Sequence, residues 1–367
     1  MSESILKKEE KISLELRALY KKYGYLPYKM SKFEEYDLYV SNKEFLVGDG
    51  IITFNDTDGK LLALKPDVTL SIIKNDVAAG DTRKVYYNEN VYRISGETKQ
   101  FKELMQVGLE RIGDIGLYEV YEAVYLAAAS LAKISEKFVL DISHLGLLGG
   151  LMDEWIGSNR DADFDRAVMA CLAEKNAHGL RAVCEKYGVE KAGKEMLLAV
   201  VGAYGKLDCA LAKLAPYCKG QAEGVYKRLS ALFALLQKTE YAENIRLDFS
   251  VVNDCNYYDN ILFKGFIEGV SESVLSGGRY DKLMEKLGKK SGAIGFAVYL
   301  DLLEGFKEDK SAQDVDVLVL YDEKTDVEAV IKAVSDCEKS SKTVSAQKTV
   351  SGVRYQELLD LRGVKYD

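Results

Sequence analysis

The second half of the chain contains three stretches that decide the fold. They read Asn-Asp-Cys-Asn-Tyr-Tyr-Asp-Asn-Ile-Leu-Phe (253–263), Ser-Gly-Gly-Arg-Tyr-Asp (276–281) and Ala-Ile-Gly-Phe-Ala-Val-Tyr-Leu-Asp-Leu-Leu (293–303). The apolar patterns in and around them predict strands over 245–252, 258–268 and 271–275, and helices over 279–287 and 298–306. This part of the chain therefore combines sheet and helix.

Length and composition bound the class of protein. At 367 residues the chain exceeds one typical domain, so we expect a large core domain with a smaller domain or an insertion. Apolar residues make up 47% and charged residues 29%, which is typical of a soluble globular protein. No apolar run reaches the roughly 18 residues that a membrane-spanning helix needs. Residues 1–10 are charged and lack the apolar core of a signal peptide, which indicates a cytoplasmic protein.

The cysteines, the histidines and the net charge exclude or disfavour further classes. The six cysteines form no Cys-x-x-Cys pair, and the only histidines are His144 and His178, so we expect no metal site and no bound cofactor. Reduced, mostly buried thiols are the expectation for the cysteines. The net charge of −8 argues weakly against nucleic-acid binding, which relies on Lys and Arg to neutralise phosphates.

Hydrophobic periodicity divides the chain into three parts. In residues 1–155 the apolar pattern predicts a helix over 4–23 and a buried helix over 116–133. It also predicts a hairpin with an Asp-Gly turn over 50–64 and long strands over 84–94 and 103–112. Residues 156–240 show no apolar pattern typical of a strand, which predicts an all-helical insertion into a core formed by residues 1–155 and 241–306. The remaining part, 314–367, predicts strand, helix, strand and helix over 315–320, 326–337, 343–348 and 355–361.

Several motifs follow one another in a fixed order along the core. They are Tyr-Gly-Tyr-Leu-Pro (23–27) with Phe33-Glu34, Lys-Pro-Asp-Val-Thr (65–69), Tyr92-Arg93 with Glu-Leu-Met-Gln-Val-Gly-Leu-Glu (103–110), and the three stretches above. The ordered set resembles the class II aminoacyl-tRNA synthetases of the histidine type. The resemblance implies an α+β fold in which helices flank an antiparallel sheet, with an all-helical insertion. The C-terminal segment, 314–367, resembles a truncated anticodon-binding domain.

The same resemblance implies a pocket for the backbone groups of an amino acid. Asp67 and Thr69 match the family positions that bind the ligand ammonium, although the usual residue at position 67 is the longer Glu. Arg93 matches the position that faces the ligand carboxylate and the ATP α-phosphate. A guanidinium group can hold either oxyanion.

The ligand that the resemblance implies is histidine, whose imidazole needs a partner for each ring nitrogen and an apolar or aromatic wall. Gln106, Glu110 and Tyr258 match the family positions for these tasks, Tyr257 lies beside them, and Tyr280 closes the pocket. Without the resemblance, the residues alone favour exposed positions on a half-solvated strand for Gln106 and Glu110. We expect one of the two adjacent tyrosines to be a core aromatic.

The residues that handle ATP in the synthetases are replaced. Asn253 and Leu302 stand where the family has arginines, and Tyr299 replaces a glycine on the adenine side. Adenylate formation builds negative charge on the α-phosphate, which preorganised cations must stabilise. The sequence therefore predicts a protein that is not an enzyme.

A second resemblance fits these losses better. The stretch Leu-Asp-Ile-Ser-His-Leu-Gly-Leu-Leu-Gly-Gly-Leu (140–151) is similar to a segment of the ATP phosphoribosyltransferase regulatory subunits, with Gly149 in place of the family's arginine. That family implies a non-catalytic partner of the short-form catalytic subunit in histidine biosynthesis, assembled as a hetero-octamer. It also implies self-association as a dimer, activation of the catalytic subunit and feedback inhibition by histidine. We expect His144 in this stretch to cap a helix.

Three alternatives remain from the residues alone. An architectural subunit without histidine sensing is consistent with the shorter Asp67. A synthetase-like RNA-binding module is a second alternative, although the short tail makes tRNA an unexpected partner. An active synthetase is the third, and Asn253 and Leu302 argue against it.

Overall fold

The computed structural model describes residues 6–42, 50–74, 82–94, 100–158, 160–251, 260–303 and 313–363. The chain divides into two compact units, Met1–Phe306 and Lys307–Asp367. No helix within the described ranges is long and apolar enough to cross a membrane.

Two sheets form the framework of the first unit. Its strands are β1 (Leu26–Pro27), β2 (Phe33–Glu35), β3 (Thr53–Asn55), β4 (Leu61–Leu64), β5 (Arg83–Ile94), β6 (Phe101–Gly113), β7 (Phe138–His144), β8 (Tyr204–Lys206), β9 (Ile245–Asp248), β10 (Ile261–Ile267), β11 (Leu275–Arg279) and β12 (Gly292–Tyr299). The large sheet has nine strands in the order β1-β5-β6-β12-β11-β10-β7-β9-β8, and a small sheet has the order β2-β4-β3. Only β1–β5 and β7–β9 pair in parallel among these described strands. The predicted antiparallel core is therefore confirmed.

Helices cover the sheet and fill the predicted insertion. They are α1 (Lys8–Lys22), α2 (Tyr36–Val40), α3 (Val68–Lys74), α4 (Leu117–Ile134), α5 (Leu145–Trp155), α6 (Ala162–Ala173), α7 (Ala177–Lys186), α8 (Lys191–Gly202), α9 (Leu207–Ala212), α10 (Gly220–Leu236) and α11 (Asp281–Lys286). Short 3-10 turns lie at Ala215–Tyr217 and Leu300–Leu303.

The helix α4 packs closely on the large sheet because its buried face consists of small and branched residues. Ala127, Ala128 and Leu131 on that face have no exposed surface. A Cβ added to Gly265 of β10 would lie 2.6 Å from Leu131 Cδ1, so a side chain there would force the Leu131 side chain to move. The helix α1 packs against α4, and Tyr20 Oη forms a 2.9 Å hydrogen bond with Ser130 Oγ. These contacts leave the opposite face of the sheet for the pocket described below.

The predicted all-helical insertion contains one strand. The strand β8, Tyr204–Lys206, follows α8 and pairs antiparallel with β9 at the edge of the large sheet. Gly205 has φ +114°, a conformation that favours glycine. A three-residue strand carries too little periodicity to be detected from sequence, so the prediction of helix alone was wrong at this point.

Two predicted helices around the Gly-Gly-Arg-Tyr-Asp motif are shorter than expected. The first spans Asp281–Lys286 instead of 279–287, because β11 continues through Arg279. The second, expected over 298–306, is replaced by the end of β12 and the 3-10 turn Leu300–Leu303 within the described residues. Both errors arise where sheet pairing extends into a segment of good helix formers.

The second unit is a small parallel sheet with one helix. It contains β13 (Val315–Leu320), α12 (Val327–Lys339), β14 (Val344–Gln347) and β15 (Tyr355–Asp360), with β13 at the centre of the sheet. The helix predicted over 355–361 is wrong, since β15 pairs in parallel with β13. The available edge of the apolar β13 outweighs the helical propensity of Glu and Leu in this segment.

Candidate functional site

A pocket of about 200 Å³ lies on the face of the large sheet opposite α4. Its lining contains six of the eight residues that the sequence predicted for a histidine site: Asp67, Thr69, Arg93, Gln106, Glu110 and Tyr280. Tyr257 and Tyr258, the other two, lie outside the described residues. The six come from several separate elements and loops, so only the tertiary fold brings them together.

Strand alternation presents the polar side chains of β6 to this pocket. Gln106 and Glu110 are four residues apart and share a face of the strand. Gly295 of β12 lies opposite Glu110 in register. A Cβ on Gly295 would lie 1.7 Å from Glu110 Oε2, so only glycine leaves room for the carboxyl group. The glycine within the apolar run 293–303 is thus required by the pocket.

Glu110 is the buried centre of the site. Thr69 Oγ1 donates to its Oε1 at 2.7 Å, and the Tyr280 hydroxyl donates to its Oε2. Burial, with a smaller contribution from the nearby Asp67, raises the pKa of Glu110 to about 8, against the effect of the two donors. At neutral pH the carboxyl group is therefore able to donate or to accept a hydrogen bond.

Asp67 and Arg93 form the charged end of the pocket. Asp67 Oδ1 accepts a 2.9 Å hydrogen bond from the Leu70 amide at the start of α3. Its Oδ2 lies 4.0 Å from Arg93 Nη2, and Arg93 Nε donates to the Pro66 carbonyl at 2.8 Å. Burial raises the pKa of Asp67, while the guanidinium of Arg93 opposes that shift. An anion and a cation held 4.0 Å apart match the two ends of a zwitterionic amino acid.

Sequence reasoning missed a further polar wall of the pocket. Lys264, Ser273 and Ser276 line it, and Tyr87 and Tyr299 add aromatic surface. Lys264 of β10 and Ser276 of β11 are register partners, which places them side by side on the sheet. The available signal was the strand Ile-Leu-Phe-Lys-Gly-Phe-Ile (261–267), where Lys264 alone is polar. A charge in an otherwise apolar central strand indicates a functional position.

Comparison with known proteins identifies the family. A family model described as Histidyl-tRNA synthetase matches residues 1–303. The ATP phosphoribosyltransferase regulatory subunit of Bacillus velezensis is 32% identical over 318 residues, covering 83% of this chain and 80% of the relative. That of Bacillus subtilis is 30% identical over 331 residues, covering 88% of this chain and 80% of the relative. The chain belongs to the family of ATP phosphoribosyltransferase regulatory subunits. The resemblance drawn from the sequence is thereby confirmed.

Solved structures agree on the fold of this regulatory-subunit family. An ATP phosphoribosyltransferase regulatory subunit/histidyl-tRNA synthetase from Bacillus halodurans has a TM-score of 0.75 at 22% identity, covering 97% of this chain and 94% of that chain. A histidyl-tRNA synthetase from Nostoc has a TM-score of 0.67 at 18% identity, covering 96% of this chain and 86% of that chain. At these identities the likeness concerns the fold alone, and it confirms the class II synthetase-like architecture.

Two of the replaced ATP-handling positions of this regulatory subunit lie in the described part of the chain and have other roles there. Leu302 lies in the 3-10 turn after β12 and packs against the hydrophobic core. Tyr299 lines the pocket and is the register partner of Gln106. Asn253 lies outside the described residues. Within the described lining of the pocket, the cations are Arg93 and Lys264.

His144 caps a helix, as the sequence predicted. Its Nδ1 accepts a 3.1 Å hydrogen bond from the Leu147 amide at the start of α5. The side chain lines a second cavity and is not part of the first pocket.

The raised pKa of Glu110 gives a testable dependence of stability on pH. The folded protein keeps the Glu110 proton up to about pH 8, whereas the unfolded chain loses it near the ordinary value of 4.5. The free energy of unfolding therefore falls as pH rises from about 4.5 to 8. We expect Glu110→Gln, which cannot ionise, to show a smaller fall across this pH range in urea unfolding. An equal fall in wild type and variant contradicts this assignment, and Glu103→Gln on the exposed part of β6 is the control.

Proposed function

We propose that this chain is a non-catalytic regulatory subunit of ATP phosphoribosyltransferase in histidine biosynthesis. In this role it activates the short-form catalytic subunit and transmits feedback inhibition by histidine. The names of the relatives support the regulatory role. A structural neighbour of 17% identity and TM-score 0.61 is described as an ATP phosphoribosyl transferase complex from Thermotoga maritima, covering 79% of this chain and 96% of that chain.

The observation that carries the histidine proposal is the convergence of the predicted residues on one small pocket. Its volume of about 200 Å³ lies below the roughly 300–1,000 Å³ of pockets for larger ligands. The ligand ammonium pairs with Asp67 Oδ2, since the other oxygen of that carboxylate already accepts a hydrogen bond. The ligand carboxylate pairs with Arg93, and Lys264 on the far wall adds a second positive charge. The pocket is therefore matched to a zwitterion.

The buried groups of the pocket suit an imidazole side chain. A neutral imidazole has one nitrogen that donates and one that accepts a hydrogen bond. Glu110 serves either nitrogen, because its pKa of about 8 keeps both protonation states accessible near neutral pH. Gln106 carries both a donor and an acceptor in its amide. Tyr280 and Tyr87 supply aromatic surface beside these groups.

Binding at this site regulates only through a difference in affinity between two states of an assembly. Histidine at the pocket therefore stabilises the less active arrangement of regulatory and catalytic subunits. We propose that the assembly is the hetero-octamer of the family, built on a dimer of this chain, and that it is cytoplasmic. tRNA is not among the proposed partners.

The domain organisation follows the same proposal. We propose that residues 1–155 and 241–306 form the synthetase-like core and that residues 156–240 form an insertion, whose regular elements in the described residues are helices apart from β8. Residues 314–367 form the short α/β segment similar to part of an anticodon-binding domain.

Isothermal titration calorimetry of the purified chain tests this proposal, with histidine, ATP and tRNA as separate titrants. We expect saturable heat with histidine and none with ATP or tRNA. Histidine heat absent from both the chain and its complex with a short-form catalytic subunit would favour an architectural subunit. Clear binding of both ATP and tRNA would contradict the regulatory role.

A further inference from the structure

A second cavity, of about 550 Å³, lies among α4, α10 and the ends of β10 and β11. It shares no described lining residue with the first pocket. Leu229 and Leu232 of α10 form one side, and Ile261 of β10 and Arg279 of β11 form another. The cavity therefore lies between α10, the last helix of the helical segment, and the large sheet. Its volume falls within the roughly 300–1,000 Å³ typical of small-molecule sites.

Apolar walls and positive charges are combined in this second cavity. Leu229, Leu232 and Ile261 are at most 3% exposed. Arg228 and Arg279 reach the same space from α10 and β11. None of the described residues that line it is Asp or Glu. Arg279 is paired with Asp281, and Lys227, a third cation of the lining, is paired with Glu223. Among the described residues the net positive charge of the cavity therefore comes from Arg228, and it favours an anionic ligand.

The two arginines differ in how they are held. Arg279 Nε donates to Asp281 Oδ2 at 2.7 Å and its Nη1 to the Ile115 carbonyl at 2.9 Å, which fixes its guanidinium at the cavity. Arg228 is exposed, and no ion pair of its side chain occurs in the described part of the chain. Its guanidinium is thus available to a ligand, and guanidinium groups bind carboxylates and phosphates with two hydrogen bonds.

His144 contributes a neutral donor to the same cavity. Because its Nδ1 accepts the Leu147 amide, the ring proton resides on Nε2. Burial, together with the charges of Arg228 and Arg279, lowers the pKa of His144 to about 4, so the ring is neutral at physiological pH. The cavity thus contains guanidinium groups and the Nε2 hydrogen-bond donor of His144 next to an apolar wall.

We propose that this second cavity binds a small organic anion, in which a carboxylate or phosphate group is attached to an apolar or aromatic body. Arg228 and Arg279 pair with the anionic group, and the body packs against Leu229 and Leu232. A ligand in this position contacts both α10 and the sheet, so it stabilises the docking of the helical segment. The site is separate from the histidine pocket and does not depend on the proposed function.

Titration of the full chain with anilinonaphthalene sulfonate, an aromatic anion that fluoresces in apolar sites, tests the proposal. We expect one saturable site per chain, displaced by phenylacetate or phenyl phosphate, and the better competitor identifies the preferred anionic group. Arg228→Gln should raise the Kd at least about tenfold, since a charged hydrogen-bond partner is lost. Arg181→Gln, another exposed arginine that lies outside the cavity, should leave the Kd unchanged.

Two further measurements distinguish binding in the second cavity from binding elsewhere on the chain. Val120→Phe, which adds volume to the cavity wall without changing charge, should also weaken binding of the dye. Histidine should not displace the dye, whether or not histidine binds in the first pocket. Equal Kd values for Arg228→Gln and Arg181→Gln, or displacement of the dye by histidine, would overturn the proposal.

Discussion

Glu110→Ala is expected to weaken histidine binding by about 10- to 100-fold and to abolish feedback inhibition of the assembled complex. The carboxyl group is buried, and both its oxygens already accept hydrogen bonds, from Thr69 and Tyr280. Truncation removes the partner of an imidazole nitrogen and leaves these two donors facing a cavity. A ligand nitrogen that is left buried without a hydrogen-bond partner costs about 1–3 kcal/mol. Calorimetric titration of wild type and variant measures the change.

Glu103→Gln on the same strand is the matched control for this variant. Glu103 accepts hydrogen bonds from Asn90 and Tyr92 on the exposed part of the sheet. We expect it to bind histidine as the wild type does. Equal histidine inhibition of complexes that carry Glu110→Ala and Glu103→Gln would rule out this pocket as the effector site.

Glu122→Ala is expected to lower the free energy of unfolding by about 3–5 kcal/mol, the range found when one partner of a buried ion pair is removed. Glu122 lies on α4 and is 3% exposed. Its carboxylate binds Lys84 Nζ at 2.7 Å and Arg111 Nη1 at 3.1 Å, and it accepts hydrogen bonds from the hydroxyls of Tyr25 and Tyr118. Its removal leaves Lys84, whose side chain is 21% exposed, without this ion pair, and leaves Arg111 with Glu119 as its acidic partner. Urea unfolding at neutral pH measures the loss.

The contribution of Glu122 to the free energy of unfolding changes with pH in the opposite direction to that of Glu110. Burial alone would raise the pKa of Glu122, but Lys84 and the tyrosine hydroxyls hold it below its ordinary value. Its contribution is therefore present above the unfolded pKa and is lost as pH falls through the folded pKa. Glu195→Ala, which removes an exposed helical pair with Lys191, should cost under about 0.5 kcal/mol. A loss at Glu122 as small as that at Glu195 would contradict a buried charge network around Glu122.

The parts of the site that sequence could predict are those carried by short local motifs. Asp67 and Thr69 lie within one pentapeptide, and Gln106 and Glu110 share one strand face, so motif order and strand alternation locate them. Lys264, in contrast, enters the pocket because β10 and β11 pair in a particular register. Register between strands is set by their pairing in the folded sheet, and no local pattern specified it here.

The errors in secondary structure have the same origin. β8 and β15 form because an edge strand of a sheet offers unpaired backbone groups. Local propensity favoured helix at 355–361, and pairing with the apolar β13 outweighed it. The helix α4 was predicted well, because its Ala- and Leu-rich face gives a long periodic signal.

The rate of ATP phosphoribosyltransferase activity, measured for a short-form catalytic subunit with and without this chain over a histidine titration, tests the regulatory role most directly. We predict a higher rate when the chain is added, and a progressive loss of that rate as histidine is raised. An unchanged rate on adding the chain, at any histidine concentration, would contradict the assignment of this protein as a regulatory subunit.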